Sequence, residues 1–391
     1  MRLLHTSDWH LGRSFHGVGL LGAQELYLDH LVEVVRSEGI DAVLVAGDVY
    51  DRALPAPDTV ALLSQTLVRL VDTGAQVVVS SGNHDSAIRL GFASDLLERA
   101  GVHVRTSVAD IGRPILLGDV AVHPLPYLDP TLTAGPLGTD VRSHAGVLRA
   151  AMDRVRAVSG RARHDVVMAH AFVSGGATCE SERDISIGGV SAVAPDVFDG
   201  MSYAALGHLH GQQQIAEAVH YSGSPVAMSF GEVSHRKASA IVDLSGDGPV
   251  VELVEAPVQR GLAVLRGRLE DLLTDDAHVA AESAWCQITL TDTVRPAGAM
   301  DQVRRRFPHT LELRFDPEGV VPSLRSYAAR VASRSELDVC CDFLGHVRSG
   351  AEPDEDERAL LAAALDAART ARRRADDEGV ADLAARDTGA A

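Results

Sequence analysis

The sequence predicts an α/β domain, followed by a small α+β unit and a helical C-terminal segment. Short strands alternate with amphipathic helices over roughly the first 255 residues, and several of these strands are apolar at nearly every position. Strands of that kind are buried on both faces, as in layered α/β folds. With 391 residues, 46% of them hydrophobic, the chain is long enough for one large domain and a smaller one.

The elements of the large domain follow from apolar periodicity and from its interruptions by glycine, proline and polar residues. Helices are expected at residues 23–37, from Pro57 to about Val71, and at roughly 88–99. Strands are expected at residues 2–6, 41–47, 76–80, 102–105, 164–170, 203–210, 218–225 and 238–244. Polar residues at the ends of these strands are candidates for a site, because ligands of α/β folds bind there.

The rest of the chain divides into two parts, which gives the predicted domains 1–258, 259–335 and 336–391. The middle part carries the strands LAVLRGRL, WCQITL and TLELRF and a helix near 298–307, as in a small α+β domain. The last part is predicted to be helical with a frayed tail. Its longest helix is expected at 354–375, where the acidic segment PDEDE precedes an Ala-, Leu- and Arg-rich stretch.

Composition restricts the class of protein. The formal net charge is −18 and Lys237 is the only lysine, so a generic nucleic-acid binder is not expected. If the protein acts on DNA, local arginines, metal ions and a partner must hold the phosphates. Four cysteines without a CxxC pair predict no thiolate metal site. No signal peptide or membrane-spanning run is evident, so a cytoplasmic protein without membrane contact is expected.

Four polar clusters and a lone histidine, each at the end of a predicted strand, carry the candidate chemistry. They are DWH (8–10), GDVYD (47–51), GNHD (82–85), GHLH (207–210) and His170. Residues two apart in an extended segment share a face, which groups Asp8 with His10 and His208 with His210. Carboxylate, amide and imidazole ligands suit Mn²⁺, Fe²⁺, Mg²⁺ or Zn²⁺. Asp48, at a glycine turn, is the natural carboxylate to bridge two such ions.

In this order the clusters resemble the calcineurin-like metallophosphoesterase superfamily. The segments HTSDWHLG, VAGDVYD, SGNHDS, ERDISIGG (182–189), ALGHLH and YSGSPVAMSF (221–230) resemble, within it, the SbcD-type nucleases of bacterial SbcCD complexes. The resemblance is strong through about residue 245 and rests on architecture alone beyond it. It implies a metallophosphoesterase β-sandwich flanked by helices, with residues 259–335 as a small α+β capping domain.

The resemblance also implies a site with two divalent metal ions, Mn²⁺ being the favoured ion. One ion is held by Asp8, His10, Asp48 and His210. The other is held by Asp48, Asn83, His170 and His208. His84 and Asp51 are the implied catalytic residues: His84 contacts the scissile phosphate, and Asp51 orients His84.

The implied function is hydrolysis of DNA phosphodiester bonds by a two-metal mechanism, in DNA repair, recombination and replication. With an SbcC-type ATPase, such proteins act as ATP-dependent double-strand exonucleases and as hairpin and single-strand endonucleases. The C-terminal helices would bind that ATPase, and a homodimer within a heterotetramer is implied. Two alternatives remain open: a relative that hydrolyses small phosphoesters such as cyclic nucleotides, and a non-catalytic scaffold.

For several other polar residues, the sequence is compatible with either a role in the site or a purely structural role. The loop Ser222–Pro225 is either a β-turn or a wall of the site. Arg52, Arg89 and Arg183 are either phosphate contacts or solvated surface side chains. The remaining histidines that we considered are expected to be packed or surface residues: His5, His16, His103, His123, His164, His220, His235, His309 and His346.

Overall fold

The computed structural model describes residues 1–182, 192–318, 335–348 and 352–368. Its strands are β1 (Arg2–Thr6), β2 (Ser14–Phe15), β3 (Val18–Gly19), β4 (Ala42–Ala46), β5 (Gln76–Ser80), β6 (Val102–Arg105), β7 (Ile115–Leu117), β8 (Val120–Pro124), β9 (His164–His170), β10 (Tyr203–Gly207), β11 (Gln213–Ala216), β12 (Val219–Tyr221), β13 (Ala238–Asp243), β14 (Val250–Glu255), β15 (Leu262–Gly267), β16 (Trp285–Leu290) and β17 (Thr310–Phe315). Its helices are α1 (Leu21–Ser37), α2 (Pro57–Val71), α3 (Ala87–Leu90), α4 (Ser94–Glu98), α5 (Pro130–Leu137), α6 (His144–Arg156), α7 (Leu269–Thr274), α8 (Ala299–Arg306), α9 (Glu336–Val347) and α10 (355–368).

Two six-stranded sheets, packed face to face, form the large domain. Their strand orders are β14-β13-β1-β4-β5-β6 and β11-β12-β10-β9-β8-β7. The inner strands β1, β4 and β5 run parallel in the first sheet, as do β8, β9 and β10 in the second. Antiparallel strands complete one side of the first sheet and both edges of the second. The α/β class and the β-sandwich that the resemblance implied are therefore confirmed.

Strand β4 shows why the central strands are apolar throughout. Ala42 and Leu44 are buried in the core between the two sheets. Val43 and Val45 point the other way, into a core that includes residues of α1 and α2. Side chains alternate along a strand, so burial on both faces requires apolar residues at every position. Helices α5 and α6 cover the outer face of the second sheet in the same way.

The strands β15, β16 and β17 are parallel neighbours with a core of their own. Helices α7 and α8 pack on them around Ile288 and Phe307, both fully buried. An aromatic contact joins this sheet to the sandwich, since the ring centroids of Phe15 and Trp285 lie 5.8 Å apart. All of these elements belong to one compact unit, Met1–Glu318.

The described residues after 318, which are 335–348 and 352–368, belong to a second unit. Within it, Arg348 pairs with Glu357 at 2.8 Å and Arg358 pairs with Asp338 at 2.7 Å, which ties α9 to α10. The end of the helix predicted at 354–375, the C-terminal tail and Arg183 lie outside the described residues. Among the described helices, none is long and apolar enough to cross a membrane.

The single helix predicted at roughly 88–99 is wrong, because the chain forms α3 and α4 with a break between them. Ala93, just before α4, has a φ of +59°, in the left-handed region. Gly91 lies so close to Thr106 that a Cβ would come within 2.5 Å of its hydroxyl. The apolar spacing continues through the break, so periodicity alone does not show it.

His5 links protonation to the stability of the sandwich. Its buried ring donates from Nε2 to the Leu206 carbonyl at 3.1 Å and accepts at Nδ1 from the Tyr203 hydroxyl at 3.0 Å. Burial, opposed by the Leu206 carbonyl and aided by His220, lowers the pKa of His5 from 6.5 to about 3. The folded chain therefore keeps His5 neutral in a pH range where the unfolded chain protonates it.

We expect this linkage to lower the free energy of unfolding as the pH falls from 6.5 toward 3. The contribution of His5 in that window is about 1.4 kcal/mol per pH unit. Urea unfolding at several pH values, on the natural chain and on His5→Gln, measures it. The variant should lose stability less steeply with acid, and parallel curves for the two proteins would contradict the assignment to His5.

Candidate metal centre

The candidate site lies at the carboxyl ends of strands from both sheets. Asp8 follows β1, Asp48 follows β4, and Asn83 and His84 follow β5 in the first sheet. His170 ends β9 in the second sheet, and the GHLH segment (207–210) begins at the last residue of β10. The structure thus brings all five sequence clusters to one edge of the sandwich.

The candidate ligands lie on tight turns rather than on extended strands. Asp8, His10, Asp48 and His208 have φ values of +54°, +44°, +48° and +105°. The expectation that both histidine-containing pairs lie on extended segments is therefore wrong. Such φ values are strained for residues with a Cβ and persist only where the surroundings enforce them, which is typical of functional sites.

The Asp48 carboxylate is the centre of the arrangement, and it is 2% exposed. Its Oδ2 lies 3.5 Å from His10 Nε2 and 3.3 Å from His170 Nε2. Its Oδ1 accepts the backbone N–H of His84 at 2.8 Å. One oxygen thus faces an imidazole from each of the two predicted ligand sets, while the other is held by the main chain.

The first predicted ligand set is assembled in part. Potential ligand atoms of Asp8, His10 and His210 lie within 4.8 Å of one another. The Nε2 atoms of His10 and His210 are 3.2 Å apart. At this distance either one ring donates its N–H to the other or both nitrogens direct lone pairs at a shared cation. These donors fit a divalent metal ion.

The second set centres on His170. Its Nδ1–H donates to the Ala46 carbonyl at 3.1 Å. Its Nε2 faces two acceptor oxygens, Asp48 Oδ2 at 3.3 Å and Asn83 Oδ1 at 2.9 Å, so this nitrogen either carries a proton that it donates to them or shares a cation with them. A histidine ligand that is oriented through its other nitrogen is common in metal sites. The His208 ring lies against the His170 ring, with centroids 5.4 Å apart. Its backbone N–H donates to the Asp8 carboxylate at 3.0 Å.

The buried charges of the site influence one another. Burial raises the pKa of Asp8 to about 6, against the pull of His170 and with the help of Asp48. Burial would also raise the pKa of Asp48, but the imidazoles of His170 and His10 hold it well below its usual range. Two buried carboxylates surrounded by imidazole nitrogens form a group of donors that divalent cations bind.

His84 is oriented by the main chain of Asp51. Its Nδ1–H donates to the Asp51 backbone carbonyl at 2.8 Å. The Asp51 carboxylate instead lies 3.6 Å from His10 Nδ1 and accepts from the Arg13 guanidinium at 3.0 Å. The two predicted catalytic residues are therefore in contact, through a hydrogen bond from the His84 ring to the Asp51 main chain.

Asp85, the last residue of GNHD, holds the site together and was missed as a functional residue. Its carboxylate accepts the backbone N–H groups of Val49, Tyr50 and Gly82 at 3.1, 2.9 and 2.9 Å. Burial and the charge of Asp48 raise the pKa of Asp85 to about 6, despite these hydrogen bonds. This carboxylate fixes the loop after β4 to the loop after β5. Its place at the end of the GNHD motif is the sequence feature that could have identified Asp85 as functional.

Four residues around His210 were also not expected to be functional. Glu182 Oε1 accepts the His210 backbone N–H at 2.7 Å, and the Ser181 hydroxyl lies 2.7 Å from His210 Nδ1. Lys237 donates to the His210 carbonyl at 3.0 Å and pairs with Glu232. Two signals were present in the sequence: Glu182 is the first residue of the segment ERDISIGG, and Lys237 is the only lysine.

The structure shows where the loop Ser222–Pro225, Arg52 and Arg89 lie relative to the site. Ser222 lies next to the site, because its Oγ is 2.9 Å from the hydroxyl of Ser7, which donates to Asp8. The side chain of Arg52 is 80% exposed and lies 3.7 Å from the Asp51 carboxylate. Arg89 donates to the Ala53 carbonyl at 3.1 Å.

Comparisons with known proteins show which families and relatives this chain resembles. The calcineurin-like phosphoesterase family model matches residues 1–211, and the model described as type 5 capsule protein repressor C-terminal domain matches residues 258–348. The SbcD component of the nuclease SbcCD from Staphylococcus saprophyticus is 29% identical over 318 residues, which cover 80% of this chain and 84% of that protein. A dimetal phosphatase from Danio rerio is 12% identical, with a TM-score of 0.42 over 66% of this chain and 96% of its own. That structural likeness is too distant to assign anything here.

The packing of Gly82 against Asp48 provides a test of the site. A Cβ at Gly82 would lie 2.1 Å from Asp48 Oδ1 and 2.2 Å from its backbone nitrogen, and the backbone atom cannot rotate away. We expect Gly82→Ala to displace the carboxylate and weaken Mn²⁺ binding roughly 10-fold or more, measured by calorimetric titration. Gly135→Ala is the control, since no heavy atom lies within 4 Å of its Cβ position. Equal Mn²⁺ affinity in the two variants would contradict a role for this close packing.

Proposed function

This chain belongs to the calcineurin-like phosphoesterase family, and from that premise we propose that it is the DNA nuclease subunit of an SbcCD-type complex. It is a metal-dependent hydrolase, and the proposal is that it cleaves phosphodiester bonds of DNA by a two-metal mechanism. The placement of Asp48 Oδ2 between His10 and His170 carries the proposal, because one bridging carboxylate is what a two-ion site needs.

The proposed assignment of ligands has Asp48 in both sets. Asp8, His10, Asp48 and His210 would hold one ion, and Asp48, Asn83, His170 and His208 the other, with Mn²⁺ favoured. Bound ions of this kind activate water and neutralise the charge that develops on a phosphodiester during hydrolysis. The strained turns and the Asp85 carboxylate keep the ligands in place before any ion binds.

His84 is proposed as the residue that assists the leaving group. The Asp51 carbonyl keeps a proton on His84 Nδ1, so any second proton resides on Nε2. A protonated Nε2 can donate to the leaving oxygen of the broken ester. Asp51 would help chiefly through its main chain, while its carboxylate steadies His10 and Arg13.

Partners are proposed for two surfaces. The C-terminal part, 336–391, would bind an SbcC-type ATPase, since the described helices expose Phe343 by 55% and Leu360 by 75%. A homodimer within a heterotetramer is supported by large apolar side chains that are exposed in the single chain, in the segments that follow Asp51 and Asp85 in the sequence. They are Leu54 (72%), Ile88 (88%), Phe92 (80%) and Leu96 (65%). In this division, residues 1–258 carry the chemistry and residues 259–335 form the cap.

The division of labour between Asp48 and His84 is testable. We expect Asp48→Ala to lose both ions and all activity, because its carboxylate serves both sets. His84→Ala should keep its ions and lose turnover on the order of 10²-fold or more. Mn²⁺ stoichiometry and DNA cleavage are measured for each, with His103→Ala as a histidine control away from the site. Loss of Mn²⁺ from His84→Ala would show that His84 is a ligand.

The substrate class is tested by comparing Mn²⁺-dependent cleavage of hairpin DNA, a cyclic nucleotide and a small aryl phosphodiester. Each reaction is run with the chain alone and with an SbcC-type ATPase and ATP. We expect cleavage of DNA, stimulated by the ATPase, and little turnover of the small esters. Rapid turnover of the small esters without DNA cleavage, even with the ATPase present, would overturn the nuclease proposal in favour of a small-phosphoester hydrolase.

A further inference from the structure

Three buried polar side chains outside the proposed ligand sets surround His210. Ser181 is 7% exposed, Glu232 2% and Lys237 8%. The Lys237 ammonium contacts Glu232 Oε2 and also donates to the His210 carbonyl. Charged side chains are seldom this buried unless they are paired, and burying a pair rarely adds stability by itself. The pair is therefore expected to act on the groups that it contacts.

The hydrogen bonds of this group fix the proton on His210. Glu232 Oε1 accepts the Ser181 hydroxyl at 2.6 Å, and a carboxylate paired with an ammonium has no proton to return. The single hydroxyl hydrogen of Ser181 is thus committed to Glu232. Its oxygen must then accept at the 2.7 Å contact with His210 Nδ1. His210 is held with its proton on Nδ1, which leaves a lone pair on Nε2, the nitrogen that faces His10.

We propose that Ser181 is a positioning residue that, with the Glu232–Lys237 ion pair, keeps His210 in the form that binds a metal ion. The inference rests on the proposed two-metal site and adds residues that act through one of its ligands. Lys237 contacts Oε2 of Glu232, and Oε1 accepts the Ser181 hydroxyl. Groups that orient a ligating histidine in this way typically change metal affinity by 10- to 100-fold when removed.

A matched pair of serine variants of the full chain tests the inference. Ser181→Ala removes the hydroxyl between Glu232 and His210. Ser229→Ala removes another hydroxyl that donates to the same Glu232 Oε1, at 3.2 Å, and that has no hydrogen bond to His210. Ser181→Thr keeps the hydroxyl. Each protein is titrated with Mn²⁺ and followed by electron paramagnetic resonance, which distinguishes one isolated ion from two magnetically coupled ions.

We expect the natural chain, Ser229→Ala and Ser181→Thr to reach the coupled two-ion spectrum at similar Mn²⁺ concentrations. Ser181→Ala should need on the order of 10- to 100-fold more Mn²⁺ for that spectrum. If Ser181→Ala fails to fold, Ser181→Cys, a much weaker hydrogen-bonding group, takes its place with the same expectation. Equal Mn²⁺ requirements of Ser181→Ala and Ser229→Ala would overturn this inference and leave the proposed two-metal site standing. A natural chain that binds no more than one ion overturns the proposed two-metal site and the inference with it.

Discussion

The Asp48 carboxylate is the point where the two sheets and the loops of the candidate site meet. One oxygen is held by the loop after β5, and the other faces histidines that belong to different sheets. Room for it exists only because neighbouring positions lack a Cβ. At Gly82 a Cβ would overlap Asp48 itself, and at Gly207 it would lie 1.9 Å from the Ala46 carbonyl. The site is thus built from closely packed turns, and the sandwich is the frame that holds them.

The strained backbone follows from the same constraint. Residues with a Cβ at positive φ each cost on the order of 1–3 kcal/mol, so four of them in one site need a rigid support. The parallel inner strands supply that support, since their apolar residues are fully buried between the sheets and under the helices. Asp85 adds a local clamp by accepting three backbone N–H groups from two loops. Ligand side chains that are short and lie on tight turns have little conformational freedom. Little conformational entropy is therefore lost when they bind an ion.

Much of this arrangement could be predicted from the sequence, because apolar runs that end in polar clusters locate both strands and candidate ligands. The strands before Asp8, Asp48 and His170 are examples. The sandwich itself followed from family resemblance, since strand pairing between distant segments has no local pattern. The turns at Asp8 and His208 could not be foreseen, because Asp and His are only enriched at positive φ and tertiary contacts decide which of them adopts it. The main-chain contact of Asp51 with His84 is invisible for a similar reason: every residue has a carbonyl.

The charge of the chain has a consequence for how it could hold DNA. With a net charge of −18, nucleic acid is repelled at long range, and several arginines are already paired with carboxylates. Near the site, Arg13 is bonded to Asp51 and to the Ser181 carbonyl, and Lys237 is buried against Glu232. Neither cation is available to a phosphate. In the proposed function, positive charge at the reacting phosphate would come from bound metal ions and from exposed side chains such as Arg52, and grip on the rest of the DNA from a partner. On the proposed function, the net charge of −18 makes DNA binding by the chain alone weak, so that binding would depend on the bound ions and the partner.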